Sequence, residues 1–200
     1  DRMNAPLPLS PLADAHITLP DDALAQEYSN QLALADVSLL PRCGVKGPQA
    51  ATWLANAGIA IPAAANNWFA LPSDGLIARL GVSEFLLEGE FVTNQLRALH
   101  RTDGVYPVIR QDAAFILSGP RVHELLVQVC NVDLRNLANS LNVVLTSMAG
   151  VSVTLLAQQR PSGNYYRLWC DGTYGLYVWE TLLAITQELG GGAVAAEQLP

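Results

Sequence analysis

Residues Asp112–Cys130 read DAAFILSGPRVHELLVQVC, and their reading decides the fold. Ala113–Leu117 is a short apolar run with the length and composition of a buried strand. Ser118-Gly119-Pro120 breaks it. Proline suits a first helical position, because its ring presets φ and its missing N–H would have no partner there. Val122, Leu125, Leu126 and Val129 then fall at i, i+3, i+4 and i+7, one face of a helix. The unit is a strand, a Gly-Pro break and an amphipathic helix.

The unit occurs twice. Val45-Lys46-Gly47-Pro48 leads into Ala50, Trp53, Leu54 and Ala57 at the same spacing, and Gly119 follows Gly47 by 72 residues. Further on, the strand-like run Glu84-Phe85-Leu86-Leu87 is echoed by Tyr166-Arg167-Leu168-Trp169 at a shift of 82, which places about ten extra residues in the loops of the second copy. Two copies are too few for a solenoid. They predict one pseudo-symmetric domain over 21–190, with halves at about 32–103 and 104–190.

A chain of 200 residues can bury a sizeable core. Half of its residues are apolar and 14% are charged, which excludes a disordered or fibrous chain. So little charge leaves apolar surface and hints at a partner. No apolar run approaches the roughly 18 residues of a membrane span. The first residues, DRMNAPLPLS, contain no apolar signal core, so the expected location is the cytoplasm. A net charge of −7 and a pI near 4.8 argue against nucleic acid and anionic membrane surfaces. Cys43, Cys130 and Cys170 make no CxxC and no disulfide framework. His16, His100 and His123 have no metal-ligand spacing.

Elements are expected as follows. Residues 1–20 hold four prolines and no period, and form an extended arm. A short helix lies within 21–31 and a strand within 32–40. A helix covers 48–57, stopped by Gly58. A hairpin joins 67–71 to 76–80 around Ser73-Asp74-Gly75. A strand at 84–88 precedes a helix carrying Phe91, Val92, Gln95, Leu96 and Leu99. A crossing strand spans 105–109, and 131–142 is an irregular polar loop. A second hairpin pairs 150–157 with 164–170. Leu176, Trp179, Leu182, Leu183 and Leu189 line the last helix, and 191–200 is a C-terminal tail. Hairpins interleaved with helices give an α+β fold with antiparallel sheets.

Candidate chemistry is sparse. Lys46, the only lysine, sits beside a helix start, where anions bind, and a solvated lysine before a turn is the simpler reading. Asn66, Asn67 and Trp68 could line a polar pocket or cap a strand. His123 with Glu124 reads as a surface pair and not an acid–base couple. Arg110-Gln111-Asp112 could reach a carboxylate, though a turn between strands explains it. Cys130 and Cys170 read as core thiols. There is no G-x-S-x-G, Walker A loop or G-x-G-x-x-G.

Gly75–Leu87, with the strand-Ser-Gly-Pro-helix unit at 113–129, resembles the aminomethyltransferase superfamily typified by the T-protein of the glycine cleavage system. Ser10-Pro11-Leu12-Ala13, Glu124-Leu125-Leu126, Cys130 and Asp133-Leu134 resemble the gamma subunits of heterotetrameric sarcosine oxidases within it. The resemblance implies a folate-binding-domain fold of two swapped ββαβββα-type halves. It implies a complex that oxidatively demethylates sarcosine and passes the one-carbon unit to tetrahydrofolate. FAD, FMN, NAD and tetrahydrofolate would belong to larger alpha and beta flavoprotein subunits, beside a small delta subunit. T-proteins place a catalytic Asp at the start of the helix after the Glu-Phe/Tyr-Leu-Leu strand. Here Gln95 falls at that position, so no catalytic, cofactor-binding or metal residue is carried over. The alternatives are a stand-alone tetrahydrofolate-dependent aminomethyl or methyl transferase, and a folate-binding accessory factor in iron–sulfur assembly or RNA modification. Acidic charge and the lack of a Lys-Gly-Cys-type loop disfavour the accessory factor. The leucines of the proline-rich arm, residues 5–16, are expected to cover a partner.

Overall fold

Both Gly-Pro junctions convert a strand into a helix. The first joins β2 (Arg42–Lys46) to α2 (Ala50–Asn56), and the second joins β7 (Ala113–Ser118) to α4 (Val122–Val129). Gly47 and Gly119 have φ of 124° and 121°, a region side chains rarely enter. A Cβ on Gly119 would lie 2.6 Å from the Gln31 carbonyl oxygen, and one on Gly47 would lie 2.2 Å from that of Gly104. Pro48 and Pro120 sit in the turn itself, closed by Ala50 N–H to Gly47 O at 3.0 Å and Val122 N–H to Gly119 O at 3.4 Å. The helices therefore start two residues after the prolines, later than the N1 expectation.

The computed structural model describes residues 9–15, 17–97, 99–100 and 102–200. The first copy runs β1 (Ala33–Asp36), β2, α2, β3 (Asn67–Ala70), β4 (Leu76–Arg79), β5 (Glu84–Glu88) and α3 (Glu90–Arg97). The second runs β6 (Tyr106–Val108), β7, α4, β8 (Val144–Met148), β9 (Val151–Arg160), β10 (Gly163–Cys170) and α5 (Gly175–Glu188). A further helix, α1 (Asp22–Ser29), precedes them, and β11 (Gly192–Val194) follows. The sheet orders are β3-β4-β5-β2-β6 and β11-β1-β7-β10-β9-β8. Each copy lends its first strand to the other: β1 pairs with β7, and β6 pairs with β2. This is the swapped ββαβββα duplication.

Strand register corrects the offset of the repeat. Val45 pairs with Phe85, and Leu117 with Tyr166, so Phe85 corresponds to Tyr166 at a shift of 81, with nine extra residues. Side chains alternate faces with period two, so a one-residue error reverses every assignment. Phe85 and Leu87 face α2 and α3, while Tyr166 and Leu168 face α4 and α5. A shift of 82 would match Phe85 with Arg167, whose side chain bonds a residue of the facing sheet.

The layers run helix, sheet, sheet, helix. Phe85, Leu87, Leu54 and Leu96 fill the space under α2 and α3. Phe115, Leu125, Trp179 and Leu182 fill that under α4 and α5, where the Phe115 and Trp179 rings meet at 5.4 Å. Trp68, Leu86, Leu156 and Trp169 pack between the sheets. Along one margin the sheets are laced together by Trp68 N–H to Leu141 O at 2.9 Å and Val143 N–H to Asn66 O at 2.7 Å.

Four expectations fail. The tail 191–200 contains β11, which pairs in parallel with β1. Strand β8 follows the 131–142 loop, whose Leu134, Leu137 and Ala138 are buried. On α5, Leu176 is exposed while Val178 and Thr186 are buried. The arm packs on its own domain over residues 9–15. Ser10 Oγ donates to Asp36 at 2.7 Å, Pro11 lies against Gly172 and Gly175, and Leu12 is 4% exposed inside the α5 core. An apolar slot in the same chain was available to Leu12, and filling it needs no partner. Residues 1–8 of the arm, and His16, lie outside the described residues.

Candidate functional site

Glu88 ends β5 in an apolar layer between the sheets and is 1% exposed. Arg42, on the neighbouring strand, donates to its Oε2 through Nε at 3.0 Å and Nη2 at 2.9 Å. From the facing sheet, Arg167 Nη1 pairs with Oε1, and Trp169 Nε1 donates to Oε2 at 2.8 Å. The other donors of Arg42 reach Ser38 O and Asp112 O at 3.1 Å and Val37 O at 2.9 Å. One guanidinium thus staples both crossing segments, 37–41 and 109–112. Burial lowers the pKa of Arg167, and Glu88 opposes that shift.

Above this cluster opens a cleft of about 930 Å³, walled by the two crossing segments, the arm at Leu9 and Pro11, and Asp171–Thr173. A second pocket, of about 250 Å³, lies between α3 and strands β2 and β6, lined mainly by apolar side chains with the Cys43 thiol in its wall. Arg97 borders both.

The residues singled out in the sequence are scattered. Lys46 is exposed at the end of β2. Asn67 Nδ2 donates to Asn142 Oδ1 at 3.2 Å, part of the lacing between sheets, and Trp68 is buried. Arg110 and Asp112 pair with each other at 3.1 Å. His123 and Glu124 do not act as a pair: Glu124 holds Arg121 at 2.6 Å, while His123 Nε2 lies 2.9 Å from the Tyr166 hydroxyl. Burial raises the Tyr166 pKa. Gln95 braces two helices, donating to Ala57 O at 2.9 Å. Among the described residues, no group of three metal-ligating side chains converges. The Glu88 cluster was missed, although its signal was present. Glu88 closes an apolar strand and Arg167 interrupts one, and charges buried that way must find a partner.

Cys43 and Cys170 have pKa values pushed up to about 11, chiefly by burial; Arg97 pulls the first down, and Asp112 and Asp171 push the second further up. A raised thiol pKa stabilises the fold fully below the ordinary value of 9.0, and that contribution is lost as pH climbs through the folded value. Stability is therefore expected to fall between about pH 9 and pH 11. Both thiols should resist iodoacetamide at about pH 8 until urea unfolds the chain, since the thiolate is the nucleophile. Equal alkylation rates with and without urea would contradict this.

No protein-family model matches the chain, and no curated protein matches it by sequence. Solved structures do. A chain of heterotetrameric sarcosine oxidase from Corynebacterium sp. U-96, solved in complex with pyrrole 2-carboxylate, superposes with a TM-score of 0.68 at 20% identity, covering 94% of this chain and 98% of that one. The glycine cleavage system aminomethyltransferase T from Bartonella henselae gives 0.66 at 14% identity, over 86% of this chain and 50% of the other. The chain has the T-protein fold.

Tetrahydrofolate is the group that the resemblance to T-proteins implies, and the buried carboxylate of this chain is not free to act on it. Glu88, the one fully buried carboxylate among the described residues, is saturated by two arginines and a tryptophan. The structure corrects the reading of Gln95: it lies in the second turn of α3, and the residue at the start of that helix, where the resemblance places a carboxylate, is the exposed Glu90. In this T-protein fold the space between the sheets is filled by Trp68, Trp169, Leu86 and Leu156.

Proposed function

We propose that this chain is a non-catalytic, gamma-type subunit of a sarcosine-oxidase-type complex. The observation that carries this reading is the near-complete mutual coverage with a chain of a heterotetrameric sarcosine oxidase, beside coverage of only half of the aminomethyltransferase T chain. In this reading the complex demethylates sarcosine oxidatively and passes the one-carbon unit to tetrahydrofolate. Larger alpha and beta flavoprotein subunits carry FAD, FMN, NAD and the folate, a small delta subunit completes the assembly, and the complex works in the cytoplasm. Two features agree with a scaffolding role. The buried Glu88 cluster joins the two sheets, and the cleft above it is rimmed by exposed leucine and isoleucine. Among the described residues no helix is long and apolar enough to cross a membrane.

The test is expression alone and together with the alpha and beta subunits of a sarcosine oxidase from the same source. Alone, the chain should purify without flavin absorbance and form no peroxide from sarcosine. Together, it should co-purify at a fixed ratio. Sarcosine-dependent peroxide from the chain alone, or failure to associate, would overturn the proposal.

A further inference from the structure

We infer that the concavity on either side of Arg97 is the docking groove for a segment of a larger subunit that carries a carboxylate next to a large apolar side chain. The inference rests on the subunit reading above and adds where the partner binds and what it presents. Arg97 borders both the 930 Å³ cleft and the 250 Å³ pocket and stands between them, so one bound segment passing over it would reach both. The groove's deep end has apolar walls from Val45, Trp53, Leu96 and Val105, with room for a single Leu- or Phe-sized side chain. Its open end presents Leu39 at 56%, Leu40 at 38% and Ile109 at 84% exposure.

Charge selects the partner's chemistry. Arg42 is used up on Glu88 and three carbonyls. Arg110 is neutralised by Asp112, while the Asp171 carboxylate accepts from the neutral donors of Thr173 and keeps its charge. Among the described residues, the Arg97 guanidinium hydrogen-bonds only to the neutral amide oxygen of Asn94, at 3.3 Å. The described lining thus sets Arg42, Arg97 and Arg110 against Asp112 and Asp171, a net positive groove in a chain whose net charge is −7. A pocket for one apolar anchor, a guanidinium at its lip and exposed aliphatic side chains beyond it match the make-up of interface centres, where Arg and large apolar groups concentrate and anchors fill pockets.

The experiment compares the native chain with Arg97→Glu, Ile109→Asp and Val82→Asp, each co-expressed with tagged alpha and beta subunits. Val82 is 81% exposed in the β4–β5 turn and lines neither cavity. Arg97 and Ile109 are also exposed, so melting of the lone variants should be unchanged. Recovery with the tagged subunits should fall at least about tenfold for Arg97→Glu and Ile109→Asp and stay native for Val82→Asp. If the native chain associates and all three variants match it, the groove assignment is wrong while the subunit reading stands. If the native chain does not associate, the subunit reading itself fails. Sedimentation of the native chain alone should show a monomer. A dimer abolished by Ile109→Asp would make the groove a self-interface and overturn the inference.

Discussion

Glu88→Ala is expected to destabilise the fold by about 3–5 kcal/mol, the usual cost of removing one partner from a buried ion pair. The substitution leaves Arg42 and Arg167, both almost wholly buried, facing each other with nothing between them, and removes the acceptor of Trp169 Nε1. Most of the loss is desolvation no longer offset and not a forfeited attraction, since a buried pair taken as a whole adds little net stability. Urea unfolding checks it: the midpoint should fall with the slope unchanged. A loss under about 1 kcal/mol, the range of exposed pairs, would show that water reaches the cluster and that the sheets are not closed over it.

Leu12→Ala is expected to cost about 2–5 kcal/mol, the range for a leucine deleted from a core, while Leu9→Ala should stay within about 0.5 kcal/mol, as exposed positions do. The two leucines lie in the same arm three residues apart, but Leu12 is 4% exposed and Leu9 81%. An arm that served only a partner would give two equally silent substitutions. Thermal melting of the lone chain separates these outcomes: a drop for Leu12→Ala alone ties the arm to the domain.

Much of the fold was legible because it rests on local rules. The Gly-Pro junctions, the 67–80 hairpin, β5 and the 72-residue repeat follow from backbone requirements and periodicity that a short window contains. What escaped depends on distant partners. β11 is three residues long and exists as a strand because β1 offers it an open edge. β8 alternates between half-buried and exposed residues, since it sits at a sheet margin where apolar content is a poor guide. The buried face of α5 was rotated because its first turn is apolar all round: Leu176 and Tyr177 point outward beside buried Val178 and Trp179. The site was less legible than the fold. Its cluster unites Arg42, Glu88 and Arg167, three charges that are far apart along the chain and share a boundary between sheets that no sequence window reveals.

The exchange of first strands also sets the order in which this polypeptide can mature on the ribosome. Strands β2 to β5 pair within 42–88 and can assemble while the rest is being made. Strand β1 emerges before them but must wait for β7, about eighty residues later, and its other edge stays open until Gly192–Val194 arrive. Pairings this distant in sequence are slow to form, and through most of synthesis β1 is a bare apolar strand, Ala33-Leu34-Ala35, of the kind that recruits neighbouring chains. Chains stalled or cut short before residue 192 are therefore expected to aggregate through β1, and a chaperone that shields it should raise the yield of intact protein.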